Sequence, residues 1–169
     1  MKLSEGIEQA IHSVSMLAGL APGGLLSAAA LAEFHGVSPS YLLKHLQALS
    51  QAGILATEPG PKGGYRLARA ADAITLLDIV LAIEGPQPAF RCQEIRQRGP
   101  NPLPQRYFAQ PCGISAAMLR AERAYRDELR RITIAAILAD LTVSDDGGIT
   151  ARGCAFLERH GRRARSTTE

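Results

Sequence analysis

The chain has 169 residues, 46% of them apolar and 5% aromatic, with no Trp; that suffices for one modest domain with an appendage, and a core built from Leu, Ile, Val and Ala favours helices. The net charge of +3 hides an asymmetry: residues 1–90 carry five Lys/Arg and seven Asp/Glu (−2), residues 91–169 fourteen and nine (+5), so a nucleic-acid partner has to be argued from local charge. Three unpaired-looking cysteines make a poor secreted disulfide framework, Glu5 and Glu8 stand where a signal peptide would be basic and then apolar, and no apolar stretch reaches membrane-spanning length; the expected setting is a reducing cytoplasm, where spare cysteines serve as metal ligands or redox switches.

Residues 4–20 read as an amphipathic helix, with Ile7, Ile11, Val14 and Leu17/Ala18 at helical spacing and Ser4 as N-cap. Ala21-Pro-Gly-Gly ends it. Ser27 caps a short helix, Ala28 to His35, whose inward face is Leu31 and Phe34. Gly36-Val37 makes a tight turn, Ser38 is the next N-cap, and Pro39 takes the first helical position, where a missing N–H costs nothing. The helix from Pro39 to Ala52 buries Leu42, Leu46 and Leu49 and shows Ser40, Lys44 and Gln47, with Tyr41 and His45 at the border. Two short strands follow, Ile54 to Glu58 and Tyr65 to Ala68, joined by the hairpin tip Pro59 to Gly64. Thr75 to Asp78 opens another helix with a capping box, ending at Gly85-Pro86. A proline-rich loop carries Cys92 and Cys112. Gly113 to about Arg131 is a long helix with one narrow apolar stripe, Ile114, Met118, Ala121, Tyr125, Leu129 and Ile132, a pattern that calls for a second copy. A short helix, Ile134 to Leu141, precedes a basic tail expected to be mobile.

Two helices joined by a tight turn and followed by a hairpin are a winged helix-turn-helix. The expected organisation is mainly α: a winged helix-turn-helix domain over residues 1–85, a loop over 86–112, dimerisation helices over 113–141 and a tail over 142–169. Over residues 38–69 the charges are Lys44, Lys62, Arg66 and Arg69 against Glu58, a local +3. A recognition helix enters the major groove by its N-terminal part, so Ser38, Ser40, Tyr41 and Lys44 are the candidate base- and groove-facing residues. The wing supplies Lys62, Gly63 and Arg66 for close approach to phosphates or the minor groove. Double-stranded DNA is therefore the expected partner, and no membrane is.

Cys92 and Cys112 are half of a closed metal site. Cys154 lies in the tail and His45 on the DNA-facing helix. Glu8 and His12, one turn apart, share a helix face; read alone, they are more readily a solvated pair than a metal grip. With the two cysteines they complete a count of four. No acid–base constellation or phosphate-cradling loop accompanies them, so no enzyme is expected.

Met1-Lys-Leu-Ser4, Ser38-Pro-Ser-Tyr-Leu42, Gly63-Gly-Tyr-Arg-Leu-Ala68 and Ile74-Thr-Leu-Leu-Asp-Ile79 together resemble the Rrf2 family, bacterial winged-helix regulators that include iron–sulfur sensors. Cluster-bearing members commonly have three cysteines in the loop; here only Cys92 and Cys112 are present. Glu8, His12, Phe90-x-Cys92, Glu94 to Pro100 and Cys112 resemble a redox-regulating branch of the family. That resemblance implies a [2Fe–2S] cluster held by Glu8, His12, Cys92 and Cys112, with the two pairs drawn from different subunits of a homodimer. Two thiolates with one carboxylate and one neutral imidazole leave such a centre one unit less negative than four thiolates do, which eases reduction. The implied function is a transcriptional regulator whose cluster oxidation state controls DNA affinity. The alternative is a cluster-free winged-helix regulator governed by thiol oxidation or by a protein partner; a mononuclear zinc site is a further variant.

Overall fold

The computed structural model describes residues 3–163. Its elements are α1 (Glu5–Ala18), β1 (Gly24–Leu25), α2 (Ala28–His35), α3 (Pro39–Gln51), β2 (Leu55–Glu58), β3 (Gly64–Leu67), α4 (Leu76–Glu84), α5 (Gly113–Arg131), α6 (Ile134–Ser144), α7 (Gly148–His160) and β4 (Arg162–Arg163). The fold is mainly helical, a winged helix followed by a long helix. Among the described residues no helix is long and apolar enough to cross a membrane.

The core follows the apolar stripes. Ala10, Val14 and Leu17 of α1, Leu31 of α2, Leu42, Leu46 and Leu49 of α3, and Ile54, Ile74 and Ile79 are all buried in one cluster. Burying each Leu or Ile contributes about 1.5–3 kcal/mol. Gly36 takes the left-handed conformation (φ +66°) that turns α2 into α3, and Pro39 opens α3. Ser38 occupies the N-cap position but makes no side-chain cap; its hydroxyl lies 3.1 Å from that of Ser40 instead.

The wing is the antiparallel pair β2–β3, in register from Leu55–Leu67 to Glu58–Gly64. Leu26, just past β1, exchanges backbone hydrogen bonds with Tyr65 (3.0 and 2.8 Å), an isolated bridge that links β1 to the wing. Thr75 and Asp78 form the reciprocal capping box at the start of α4. There the Leu76 N–H donates to the Ile132 carbonyl, and the Ile134 N–H to the Ile74 carbonyl, both at 2.9 Å. These bonds fix where the chain returns after α5. Ile134 is fully buried in the main core, so α6, placed among the dimerisation helices from sequence, packs with the winged helix. α5 has no buried residue on this chain, and Ile114 and Met118 are 69% and 44% exposed.

The expectation of a mobile tail over 142–169 is corrected as far as residue 163. α6 runs on to Ser144, and Asp145 accepts from the Ile149 and Thr150 N–H groups (3.1 and 2.8 Å) to start α7. Phe156 and Leu157 of α7 pack against the core, Phe156 edge-on to Phe34 at 4.8 Å, and Arg152 sits 4.7 Å over the Phe34 ring. β4 pairs with β1. Two apolar anchors within a basic helix leave little periodic signal. Residues 1–2 and 164–169 lie outside the described residues.

Leu46→Ala should leave a cavity beneath the recognition helix and cost about 2–5 kcal/mol, read as a lower urea midpoint with unchanged slope.

Candidate functional site

The first candidate surface is the N-terminal half of α3 with the wing. Ser38, Ser40, Tyr41 and Lys44 are all exposed, on the side of α3 opposite its buried leucines. Tyr41 is 39% exposed and meets His45 edge-on, with ring centroids 4.7 Å apart. Lys62 is exposed at the wing tip. Gly63 is required there sterically: a Cβ would lie 1.9 Å from the Glu58 carbonyl oxygen, and its N–H closes the turn onto Gly60 O at 2.9 Å. Arg66 is not wholly free, since it reaches Glu58 at 3.9 Å; Arg69 points away, toward Asp78 (3.8 Å) and the Ala73 carbonyl (3.2 Å). Short polar groups at a helix start, beside a cationic hairpin tip, can address a duplex groove and its phosphates.

The second candidate is the sulfur-bearing loop. Its base is held by α5: Glu122 accepts from the Ala89 N–H (3.0 Å), while Arg126 donates to the carbonyls of Pro86 and Gln87 and pairs with Glu122 at 2.6 Å. Its far limb is organised by Arg96, which sequence spacing did not single out. Arg96 pairs with Glu94, stacks 5.2 Å over Phe108, and donates to the Gln110 carbonyl at 3.5 Å. Glu94 adopts φ +45°, the one non-glycine residue at positive φ among those described. The hydrogen bond to Glu94 raises the Arg96 pKa. Cys112 is the residue before α5; the Ser115 and Ile114 N–H groups at the helix start, with a smaller contribution from Arg96, hold its thiol below the usual cysteine range. Cys92 is exposed and Cys112 half-buried.

The third candidate is the outer face of α1. Glu8 and His12 are both exposed and line a shallow surface groove of about 430 Å³ with Leu3, Ile7 and Ile11. The His12 ring lies 5.7 Å from that of His35, a neighbour that sequence reading gave no role. Burial, and then the His12 and Arg152 charges, lower the His35 pKa. The structure thus places the cysteines together on one loop and Glu8 with His12 on one helix, but does not join the two pairs within a chain. Among the described residues no three His, Cys, Asp or Glu side chains converge as a metal site.

α1 also touches the recognition helix. A Cβ on Gly6 would fall 2.3 Å from Cε1 of His45, so the imidazole packs directly on the α1 backbone. Burial, and secondarily Lys44, keep the His45 pKa low, which favours the uncharged ring there.

The family model described as Rrf2, iron-dependent transcriptional regulator, matches residues 3–140. YffB of Lactococcus lactis is 34% identical over 137 residues, 81% of this chain and 86% of that protein. Protein aau3 of Rhizobium meliloti is 35% identical over 129 residues, covering 75% and 80%. Among solved structures, T. potens IscR superposes with a TM-score of 0.65 at 22% identity, covering 89% of this chain and 96% of that one. The oxidized form of Staphylococcus aureus CymR superposes at 0.59 and 25%, covering 81% and 95%.

In metal-free, reduced protein, the pH profile of Cys112 alkylation by iodoacetamide, followed by peptide mass, should have its midpoint below the free-thiol value of about 8.5. Arg96→Ala should move it up only slightly, because the helix-start N–H groups act most; a midpoint at or above the free value would contradict this electrostatic picture.

Proposed function

The chain belongs to the Rrf2 family of transcriptional regulators, and from that premise we propose that it is a DNA-binding homodimer whose operator affinity follows the oxidation state of a [2Fe–2S] cluster. Glu8 and His12 of one protomer and the partner subunit's Cys92 and Cys112 would hold it. The observation that carries this reading is the pair of exposed half-sites. Two sulfurs sit on a loop preset by Arg96, and a carboxylate–imidazole pair lines an open groove. Among the described residues, neither half is completed by its own chain. The exposed stripe of α5, beginning with Ile114 and Met118, is the surface that a second copy would cover. The iron named in the family description agrees with the donor set.

A bound cluster would supply one-electron redox chemistry at a neutral pH. The chain's own residues do the rest. The helix-start N–H groups favour Cys112 as thiolate, the ligating form. A carboxylate and an imidazole at i and i+4 present one oxygen and one nitrogen on the same side of α1. A displacement of α1 passes to α3 through the Gly6–His45 contact and the shared core, because close-packed interiors transmit strain. In a dimer this alters the spacing of two recognition helices, and half-site spacing is geometrically strict. Ser38, Ser40, Tyr41 and Lys44 would then read the major groove, with Lys62, Gly63 and Arg66 at the phosphates.

A second reading has Cys92 and Cys112 acting as a thiol pair without a cluster. The lowered Cys112 pKa favours it.

Protein isolated without air should contain iron and inorganic sulfide, with visible absorption that bleaches on dithionite. His12→Ala should abolish any redox dependence of operator binding. Colourless, iron-free protein would instead select the thiol reading.

Sharing between subunits is testable by mixing. Glu8→Ala/His12→Ala and Cys92→Ala/Cys112→Ala homodimers should each lack iron. The heterodimer, with one complete site, should recover about half the wild-type iron; a heterodimer as iron-free as the two homodimers would refute a shared site.

A further inference from the structure

β4 lies against β1 antiparallel, Gly24 opposite Arg163 and Leu25 opposite Arg162. Leu26, next in the chain, makes an isolated bridge to Tyr65 of β3, and the C-terminal segment thus belongs to a two-stranded pair linked by that bridge to the separate wing pair β2–β3. It covers the otherwise open edge of β1. α7 delivers it there, through Phe156 and Leu157 against the core and Arg152 on the Phe34 ring. From β4, Nη1 of Arg162 donates to the Pro61 carbonyl at 3.0 Å and approaches that of Gly63 at 3.5 Å. Those carbonyls flank Lys62. Two cationic side chains are therefore gathered at one wing tip, and among the described residues no carboxylate lies within ion-pair distance of Arg162 or Arg163. Residues 148–163 carry four arginines against one glutamate, a sum of +3.

Holding like charges together is unfavourable unless an anion joins them. A guanidinium has five N–H donors. The wing carbonyls engage one nitrogen of Arg162, and the remaining donors of this exposed side chain can form a forked contact with a phosphate.

We propose that the C-terminal arm is part of the DNA-binding surface: Arg162, moored to the wing tip, contacts a backbone phosphodiester beside the one addressed by Lys62. The proposal rests on the wing's being the phosphate-contacting element. It adds a contact from outside the winged helix-turn-helix, one that carries charge and no base preference.

The test is the salt dependence of binding by the full chain to a mixed-sequence DNA duplex, followed by fluorescence anisotropy, for wild type, Arg162→Ala, Arg162→Lys and Lys62→Ala. Removing one phosphate neutralisation should make the plot of log affinity against log salt shallower by about 0.9. Arg162→Ala should flatten the slope by that amount for each arm, and Arg162→Lys should retain the wild-type slope. An Arg162→Ala slope equal to wild type, with Lys62→Ala shallower, would overturn the arm and leave the wing reading intact. Weaker binding at unchanged slope would likewise overturn it, reducing Arg162 to a brace for the hairpin. Unchanged slopes in both Arg162→Ala and Lys62→Ala would remove the wing itself as the phosphate contact, and the arm with it.

Discussion

Everything on the operator-facing side is held from behind by α1. Its closest approach to the recognition helix is Gly6, where no side chain larger than hydrogen fits beside His45 without displacing it. Ala10 and Val14 continue the contact into the core shared with Leu42, Leu46 and Leu49. Small residues facing α3 let the two helices lie close, so α1 cannot slide without α3 responding. On the solvent side of the same helix stand Glu8 and His12. The same fourteen-residue helix therefore carries the proposed donors on one face and packs against the proposed recognition helix with the other.

α5 plays a complementary part. On one chain it buries nothing completely, yet it organises the sulfur loop at both ends. Glu122 and Arg126 hold the start of the loop, and the first turn of the helix faces the Cys112 sulfur. The end of this helix is tied to the winged helix by the bridge between Thr75 and Thr133. A partner seated on its apolar stripe would bring a second sulfur loop with it, which gives the dimer reading its economy.

Much of the winged helix was legible because its signals are local. Pro39 after Ser38 marks a helix start, Thr75 with Asp78 a capping box, and Leu42, Leu46 and Leu49 a buried stripe; each works through backbone groups a few residues away. The wing was legible from its glycines, Gly63 above all, where the turn leaves no room for a side chain. β1 and β4 were not, since two-residue strands have no periodicity and exist only because each finds the other across the chain. α7 was missed because Phe156 and Leu157 are too few to outweigh its polar surroundings. At the candidate site, the four proposed ligands were reached by residue type and resemblance. Arg96 was not, being one arginine among several in its stretch, and its importance lies in contacts with Glu94, Phe108 and Gln110 that no spacing rule encodes. His35 beside His12 is likewise a tertiary fact.

The clamp that Glu122 and Arg126 place on residues 86–89 also has a polymer-physics consequence. It shortens the segment left to order when the sulfurs are engaged. Because the entropy of closing a loop grows only with the logarithm of its length, the benefit of shortening is modest, but it applies to every arrangement of the loop alike. Natural drift at positions 122 and 126 therefore offers a way to retune how readily the loop's sulfurs are engaged while all four proposed donor side chains stay unchanged, one that comparison of those residues alone would overlook.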